Sequence, residues 1–234
     1  MSTPLPLLCS SETPPHNQST NPLCQRTAWR EVAGHYPEPR QCLATFLTLS
    51  TTEVLAGVKP ANLLRIRNRR YPCGRNMYQL WQRYGRQLLE SSPIIAATMR
   101  SDDSGVLLLI YSPTLLQRRL NSRSSRTLLQ SLNYRNPQHI ATTLKDLTAN
   151  FVDNEFPHEI GLFLSYPLKD VTAFMGRSQF KATAQRLWKI YSHPRRSHAL
   201  ADLYQHQHQR VANLLRSNRN SSFQLLKGGV GQHG

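Results

Sequence analysis

Pro93-Ile-Ile-Ala-Ala-Thr-Met99, Asp102-Asp-Ser-Gly105 and Val106-Leu-Leu-Leu-Ile-Tyr111 follow one another with only Arg100 and Ser101 between them. The two outer segments have strand composition and the middle one is a cluster of turn formers. The stretch therefore predicts a β-hairpin with a loop longer than the two-residue minimum. On either side the apolar spacing changes to that of helices. Upstream, Pro39 to Glu53 carries Leu43, Phe46, Leu47 and Leu49, and Met77 to Leu89 places Leu80, Trp81, Tyr84 and Leu88 on one face. Between them, Lys59 to Leu64 reads as a turn opening a short apolar element. Downstream, Pro113 suits the first turn of a helix over Thr114 to Leu120. Further helices are expected at about Ser125 to Leu132 and Pro137 to Phe151. Another runs from Pro167 to Met175, ended by Gly176. A closing helix from Pro194 to about Arg216 has Leu200, Leu203, Tyr204, Val211, Leu214 and Leu215 on one side. Ile160 to Leu164 and Leu187 to Tyr191 are short apolar runs expected as strands. The fold class is α+β, several helices packed on a small, mostly antiparallel sheet. Residues 39–216 form one domain. Residues 1–38, rich in Pro, Ser, Thr and Asn, are expected to be a flexible leader, and residues 217–234 a flexible tail.

Composition bounds the function classes. The 234 residues are 39% hydrophobic and 8% aromatic, enough to build a core. Charged residues are only 18%, which excludes a charge-rich disordered chain. Lys and Arg number 29 against 13 acids, giving a net charge of +16, most of it from arginine. The longest uncharged apolar run, Val106 to Tyr111, falls far short of the roughly 20 residues that span a bilayer. No membrane span is expected, and the N-terminus lacks the basic segment of a secretory signal, so a cytoplasmic location is expected. Cys9, Cys24, Cys42 and Cys73 have no C-x-x-C spacing, so they read as reduced thiols and not as a zinc site.

The most distinctive phrase is Phe156-Pro-His-Glu-Ile-Gly-Leu-Phe-Leu-Ser-Tyr-Pro-Leu-Lys-Asp-Val171. Three more accompany it in order: Leu55-Ala-Gly-Val-Lys-Pro-Ala-Asn-Leu63, Tyr111-Ser-Pro-Thr-Leu-Leu116 and Trp188-Lys-Ile-Tyr-Ser192. Together they resemble an uncharacterised, mainly bacterial family, domain-of-unknown-function family 3793, over about residues 42–208. Relatives often carry Gly where Ser165 stands and an acid where Lys169 stands. Many also place cysteines before the Trp-Lys phrase, where this chain has none between Gly176 and Arg186. The resemblance implies no assigned activity. It points towards iron, haem or flavodoxin-linked roles, with haem, iron, a flavodoxin-like partner or another anionic ligand as the expected partners.

Read as a strand, the phrase puts His158, Ile160, Leu162 and Leu164 on one face and Glu159, Gly161, Phe163 and Ser165 on the other. His158 is then a metal or haem ligand or general base, or a hydrogen-bonded structural histidine. Glu159 is expected to pair with Lys189 across neighbouring strands, since a buried carboxylate needs a partner. Gly161 leaves room for a neighbouring chain or ligand. Asp170 reads as ordinary first-turn chemistry. The candidate ligand-binding set is His158, Glu159, Tyr166 and Tyr191. His198, Asp202 and His206 fall four apart on the closing helix, a spacing that could hold a divalent metal but on a face expected to meet solvent.

A second set is basic. Arg65, Arg67, Arg69, Arg70, Arg75, Arg83 and Arg86 occur without an acid from 65 to 86, interleaved with Tyr71, Tyr78, Trp81 and Tyr84. Arg118, Arg119, Arg123 and Arg126 form another run. Such patterns can hold phosphates and stack bases, so Arg65, Arg67, Arg69 and Arg70 are candidate anion-binding residues. There is no Walker loop, no G-x-G-x-x-G, no H-E-x-x-H and no complete catalytic constellation. The expected function is a ligand- or partner-binding accessory protein in iron or haem handling. The alternative is a sequence-nonspecific nucleic-acid-binding protein using the Arg-rich surface.

Overall fold

The computed structural model describes residues 29–32, 36, 38–151, 156–191, 194–217 and 221–228. In chain order the elements are α1 (Trp29–Val32), α2 (Pro39–Ser50), α3 (Thr52–Leu55), β1 (Ala61–Arg67), α4 (Met77–Leu89), β2 (Ile95–Asp102) and β3 (Gly105–Tyr111). They continue with α5 (Pro113–Asn121), α6 (Arg123–Gln130), α7 (Ile140–Ala149), α8 (Ile160–Phe163), α9 (Leu168–Phe174), β4 (Ala182–Gln185), β5 (Lys189–Tyr191), α10 (Arg195–Ser217) and α11 (Ser221–Gly228).

The hairpin is present. β2 and β3 pair antiparallel, and β1 pairs on the other side of β3, giving the order β1-β3-β2. Every residue of β3 is buried. Alternation splits its side chains between two apolar clusters. Val106, Leu108 and Ile110 face α2, α3, α4, α11 and the C-terminal half of α10, while Leu107, Leu109 and Tyr111 face α5 to α9 and β5. The doubly covered strand is therefore β3. α10 joins the two layers, with Ala201 and Tyr204 in one cluster and Val211, Ala212 and Leu215 in the other. Gly105 closes the hairpin at φ +137°, and a Cβ there would lie 2.1 Å from the Ile66 carbonyl oxygen.

Helix starts follow the local chemistry of the sequence. Asn76 caps α4 by accepting from the Tyr78 and Gln79 amides, and Ser112 caps α5 ahead of Pro113. Gly176, at φ +72°, follows α9.

Four expectations change. Ile160 to Leu164 is the short helix α8 and its cap, not a strand. All five residues are buried, so the run carries no periodicity to separate helix from strand. β4, in a segment of weak apolar pattern, pairs antiparallel with β5 as a second small sheet. The tail boundary moves, because residues 221–228 form α11 with Ser222 and Leu226 buried against α2. The leader boundary moves as well: Trp29, Val32 and Tyr36 are core residues. Residues 1–28, 33–35 and 37 of the expected leader, and 218–220 and 229–234 of the expected tail, lie outside the described residues. On α10, Leu203 and Leu214 are exposed, because the helix buries only the stripe through Tyr204, His208 and Val211. Among the described residues no helix is long and apolar enough to cross a membrane.

Candidate functional site

The distinctive phrase is a helix, a left-handed cap and a second helix. At the end of α8 the Tyr166 amide donates to the Gly161 carbonyl at 2.9 Å and the Ser165 amide donates to the Leu162 carbonyl at 3.0 Å. Ser165 sits between them at φ +59°. This is the Schellman arrangement, whose left-handed position favours glycine. The Arg119 guanidinium completes the cap, donating to the Leu162 carbonyl at 3.2 Å and the Tyr166 carbonyl at 2.9 Å. Burial holds its pKa below the usual arginine value. Gly161 leaves room for Val171 and Tyr166 of the same chain, at 3.1 and 3.2 Å from a would-be Cβ.

Glu159 does not pair with Lys189. Buried, it accepts from the Tyr134 hydroxyl and the Asn150 amide, each at 2.9 Å. Its turn precedes α8, and no strand there aligns it with β5. Burial and the Glu159 carboxylate push the Tyr134 phenol well above its ordinary pKa.

Asp170 is more than a helix-start acid. It is 2% exposed and gathers four donors. The Trp188 indole N–H lies at 2.9 Å, the Ser197 hydroxyl at 2.6 Å, the Tyr191 amide at 2.9 Å and the Lys169 ammonium at 3.0 Å. Lys169 also donates to the Tyr191 carbonyl at 2.5 Å. One carboxylate thus ties α9 to β5 and α10. Tyr191 contributes its backbone to this knot. Its half-buried side chain does not line the cleft described next, and burial together with Asp170 raises its phenol pKa.

Beside the knot lies a cleft of about 300 Å³ including its open mouth. Tyr166 and Trp188 stack at 4.4 Å and 21° and line it. Phe174 forms a wall, with the exposed His158 ring edge-on at 4.9 Å and the Lys189 ammonium 5.8 Å from the ring centre. Of the four expected ligand residues, His158 and Tyr166 meet in this cleft; Glu159 and Tyr191 do not line it. Lys59, only 5% exposed, lies 5.6 Å from the centre of the Tyr166 ring and 5.1 Å from that of Tyr204. Tyr204 is fully buried, which raises its phenol pKa. All four family-like phrases converge here, since the Ser112 amide donates to the Pro60 carbonyl at 2.9 Å.

Sequence reasoning missed Lys59, Arg119, Trp188, Lys189 and Asp170 as members of this region. Two of them had a signal. Lys59 is the lone charge between residues 54 and 64, and Asp170 the lone acid between 160 and 201.

The basic runs are partly consumed. Arg65 bonds the Ser104 hydroxyl at 2.5 Å and meets Asp102 at 3.5 Å. Arg69 lies 6.0 Å from the centre of the Tyr71 ring, and Arg75 donates to the Tyr36 carbonyl at 3.0 Å. Arg67 is half-buried and its amide donates to the Tyr71 hydroxyl at 2.9 Å, whereas Arg70 is exposed. Tyr71 is core, edge-on to Phe46, and Trp81 and Tyr84 pack partly buried against the same cluster. On α10, Arg186 bonds Asp202 at 2.6 Å and reaches His198 Nδ1 at 3.3 Å. Among the described residues no three His, Cys, Asp or Glu side chains are grouped to hold a metal ion.

Residues 47–225 match the family described as "Protein of unknown function (DUF3793)". The match covers well over half of the chain, which therefore belongs to that family. No curated protein and no solved structure matches.

Proposed function

We propose that this protein is a cytoplasmic binding protein that takes a small planar, anionic ligand in the cleft between α8, α9 and β5. The observation that carries the reading is the pairing of an aromatic lining, Tyr166 on Trp188, with His158 and Lys189 at Phe174. A flat ligand gains area and ring contacts against such surfaces, and a carboxylate or phosphate on it would meet an ammonium and an imidazole. Asp170 lines the same cleft, but its oxygens are committed to the knot behind it. The cleft is shallow and open, its roughly 300 Å³ including the mouth, which favours a small ring system over a haem macrocycle.

The test is titration calorimetry of the purified chain with small aromatic carboxylates and phosphates, alongside haemin absorbance and retention on nucleic acid. Binding of an aromatic anion that His158→Ala and Lys189→Ala each weaken at least about tenfold (a loss of 1.4 kcal/mol) supports the reading. Binding that both variants leave unchanged refutes it. A haem spectrum that His158→Ala alters would move the assignment to haem ligation, because an axial ligand sets the iron's electronic state. Salt-sensitive retention on nucleic acid, abolished by reversing Arg67, Arg69 and Arg70 to Glu, would move it to the basic surface.

A further inference from the structure

Cys42 and Cys73 are distant in sequence and adjacent in the fold. Cys42 is fully buried on α2. Cys73 is half-buried in a tight turn in which the Tyr71 amide donates to the Arg75 carbonyl at 2.9 Å and the Gly74 amide donates to the Tyr71 carbonyl at 2.8 Å. Gly74, at φ +77°, permits the reversal. The turn seats Cys73 against the apolar cluster that contains Cys42, and the two thiols hydrogen-bond to each other. Around them are three further polar groups. The Arg75 amide bonds the Cys73 sulfur, and the Arg75 guanidinium places its charge near both thiols. The Trp29 indole N–H, buried without a hydrogen-bond partner, lies beside Cys73.

This arrangement treats the two sulfurs differently. Cys73 receives hydrogen bonds and a neighbouring positive charge. The Cys42 hydrogen bond, foremost, holds its thiol below the ordinary cysteine range. Cys42 lies deeper in the core than half-buried Cys73, and its hydrogen bonding with Cys73 together with burial pushes its thiol up. A structural buried cysteine is inert, whereas a half-exposed thiolate stabilised by donors is a nucleophile.

We propose that Cys42 and Cys73 form a redox-active dithiol that exchanges with low-molecular-weight disulfides, with Cys73 as the attacking thiolate and Cys42 as the resolving thiol. Cys73 Sγ attacks one sulfur of the small disulfide. A bond from Cys73 to that sulfur forms, the small disulfide bond breaks, and one small thiolate leaves. Cys42 then gives up its proton and attacks Cys73 Sγ. The Cys42–Cys73 bond forms, and the second small thiolate leaves. The two protons lost by the protein thiols are taken up by the two small thiols through solvent. The small disulfide is reduced and the protein dithiol is oxidised. The product would tether to α2 the turn that carries Arg69, Arg70 and Arg75. In a reducing compartment such pairs are transient and serve sensing or catalysis.

The test uses the full chain treated with glutathione disulfide, quenched in acid, alkylated and mapped by mass spectrometry. The wild type is expected to yield a peptide linking Cys42 to Cys73. Cys42→Ala, which avoids burying a hydroxyl, should instead accumulate glutathione on Cys73, and Cys73→Ser should leave Cys42 unmodified over the same interval. In the reduced wild type the pH profile of Cys73 alkylation should have its midpoint more than a unit below the roughly 8.5 of an ordinary thiol, and Cys42→Ala should move it up. A wild-type product linking Cys73 to Cys9 or Cys24 overturns the proposal. So does a stable glutathione adduct on Cys73 in the wild type, or a Cys73 profile like that of an ordinary thiol. Circular dichroism of each variant establishes that the fold is retained. If Cys42→Ala does not fold, the linked wild-type peptide and the wild-type pH profile decide the matter.

Discussion

Replacing Asp170 by Ala should cost about 3–5 kcal/mol of folding stability, the range for breaking a buried charged pair. The figure follows from what each donor does once the carboxylate is gone. The Trp188 indole N–H is buried with its ring stacked on Tyr166, so it stays in place without an acceptor. The Tyr191 amide is fixed by β5. Each stranded donor costs about 1–3 kcal/mol. The Ser197 hydroxyl recovers part of its loss by turning to the preceding turn of its own helix. Lys169, 27% exposed at its side chain, keeps the Tyr191 carbonyl and adds little. Asp170→Asn keeps the shape and one acceptor oxygen but turns an amide donor on the other donors, so its cost should fall between wild type and Ala. The assay is urea unfolding followed by circular dichroism, with m compared among variants so that a stability change is separated from a change in compactness. A double cycle with Trp188→Phe should return a coupling of at least about 1 kcal/mol, as expected for residues in one network. If Asp170 were only a first-turn acid favouring the helix dipole, Ala would cost about 0.3–1 kcal/mol and the cycle would be additive. That outcome would refute the knot.

Gly105→Ala should cost at least about 3 kcal/mol, because backbone strain at φ +137° is compounded by the approach to Ile66; thermal unfolding reads it directly. Ser165→Gly should stabilise by about 0.5–1 kcal/mol by relieving a left-handed non-glycine residue, whereas Ser165→Val should destabilise, both measured by urea unfolding. Leu226→Ala should cost about 2–5 kcal/mol if α11 is part of the core, and a loss under 1 kcal/mol would show that it is not. Stability should decline as pH rises above about 10, because the Tyr134 and Tyr204 phenols titrate higher in the folded chain than in the unfolded one. The unfolded state then binds fewer protons, so each residue contributes a decline of up to about 1.4 kcal/mol per pH unit. Tyr134→Phe should make that decline shallower in pH-resolved unfolding.

Elements with a clean periodicity or a punctuating residue were legible in the sequence. The hairpin is one, and α4 is another, where the spacing of Leu80, Trp81, Tyr84 and Leu88 matches a face packed on the core. Proline at the start of α5 marked it as well. Fully buried short segments carried no such pattern. Ile160 to Leu164 offers an unbroken apolar run in either conformation, and only the left-handed demand at Ser165 distinguishes them. α11 was hidden for a different reason. Its Ser/Gly-rich surroundings look like a frayed tail, and its burial depends on α2, more than 170 residues earlier in the chain. Of the candidate site, His158 and Tyr166 were legible as residue types able to bind. Their neighbours Trp188 and Lys189 arrive by the β4–β5 turn, a long-range approach that residue spacing does not encode.

The same geometry narrows what can act. In a chain of net charge +16 with 13 acids, each buried acid is bound to a named partner set: Asn62 donates to Glu53 at 2.7 Å, Tyr134 and Asn150 hold Glu159, and Asp170 gathers its four donors. These carboxylates stabilise the junctions between layers, and moving a proton onto any of them would strand the donors around it. Arg119 is likewise held by two carbonyls. Chemistry towards an incoming molecule therefore falls to groups that stand at a surface and are not fixed by such networks. His158 and Lys189 at the cleft meet that condition, and Cys73, half-buried at its turn, differs in that its hydrogen bonds stabilise the reactive thiolate. They lie in opposite layers of the molecule, one set packed with the cluster of α5 to α9 and the other with the cluster of α2 and α4. β3, buried along its whole length, separates the two layers. Ligand capture at one and thiol exchange at the other can consequently be assayed independently, and a variant at either should leave the other's readout unchanged.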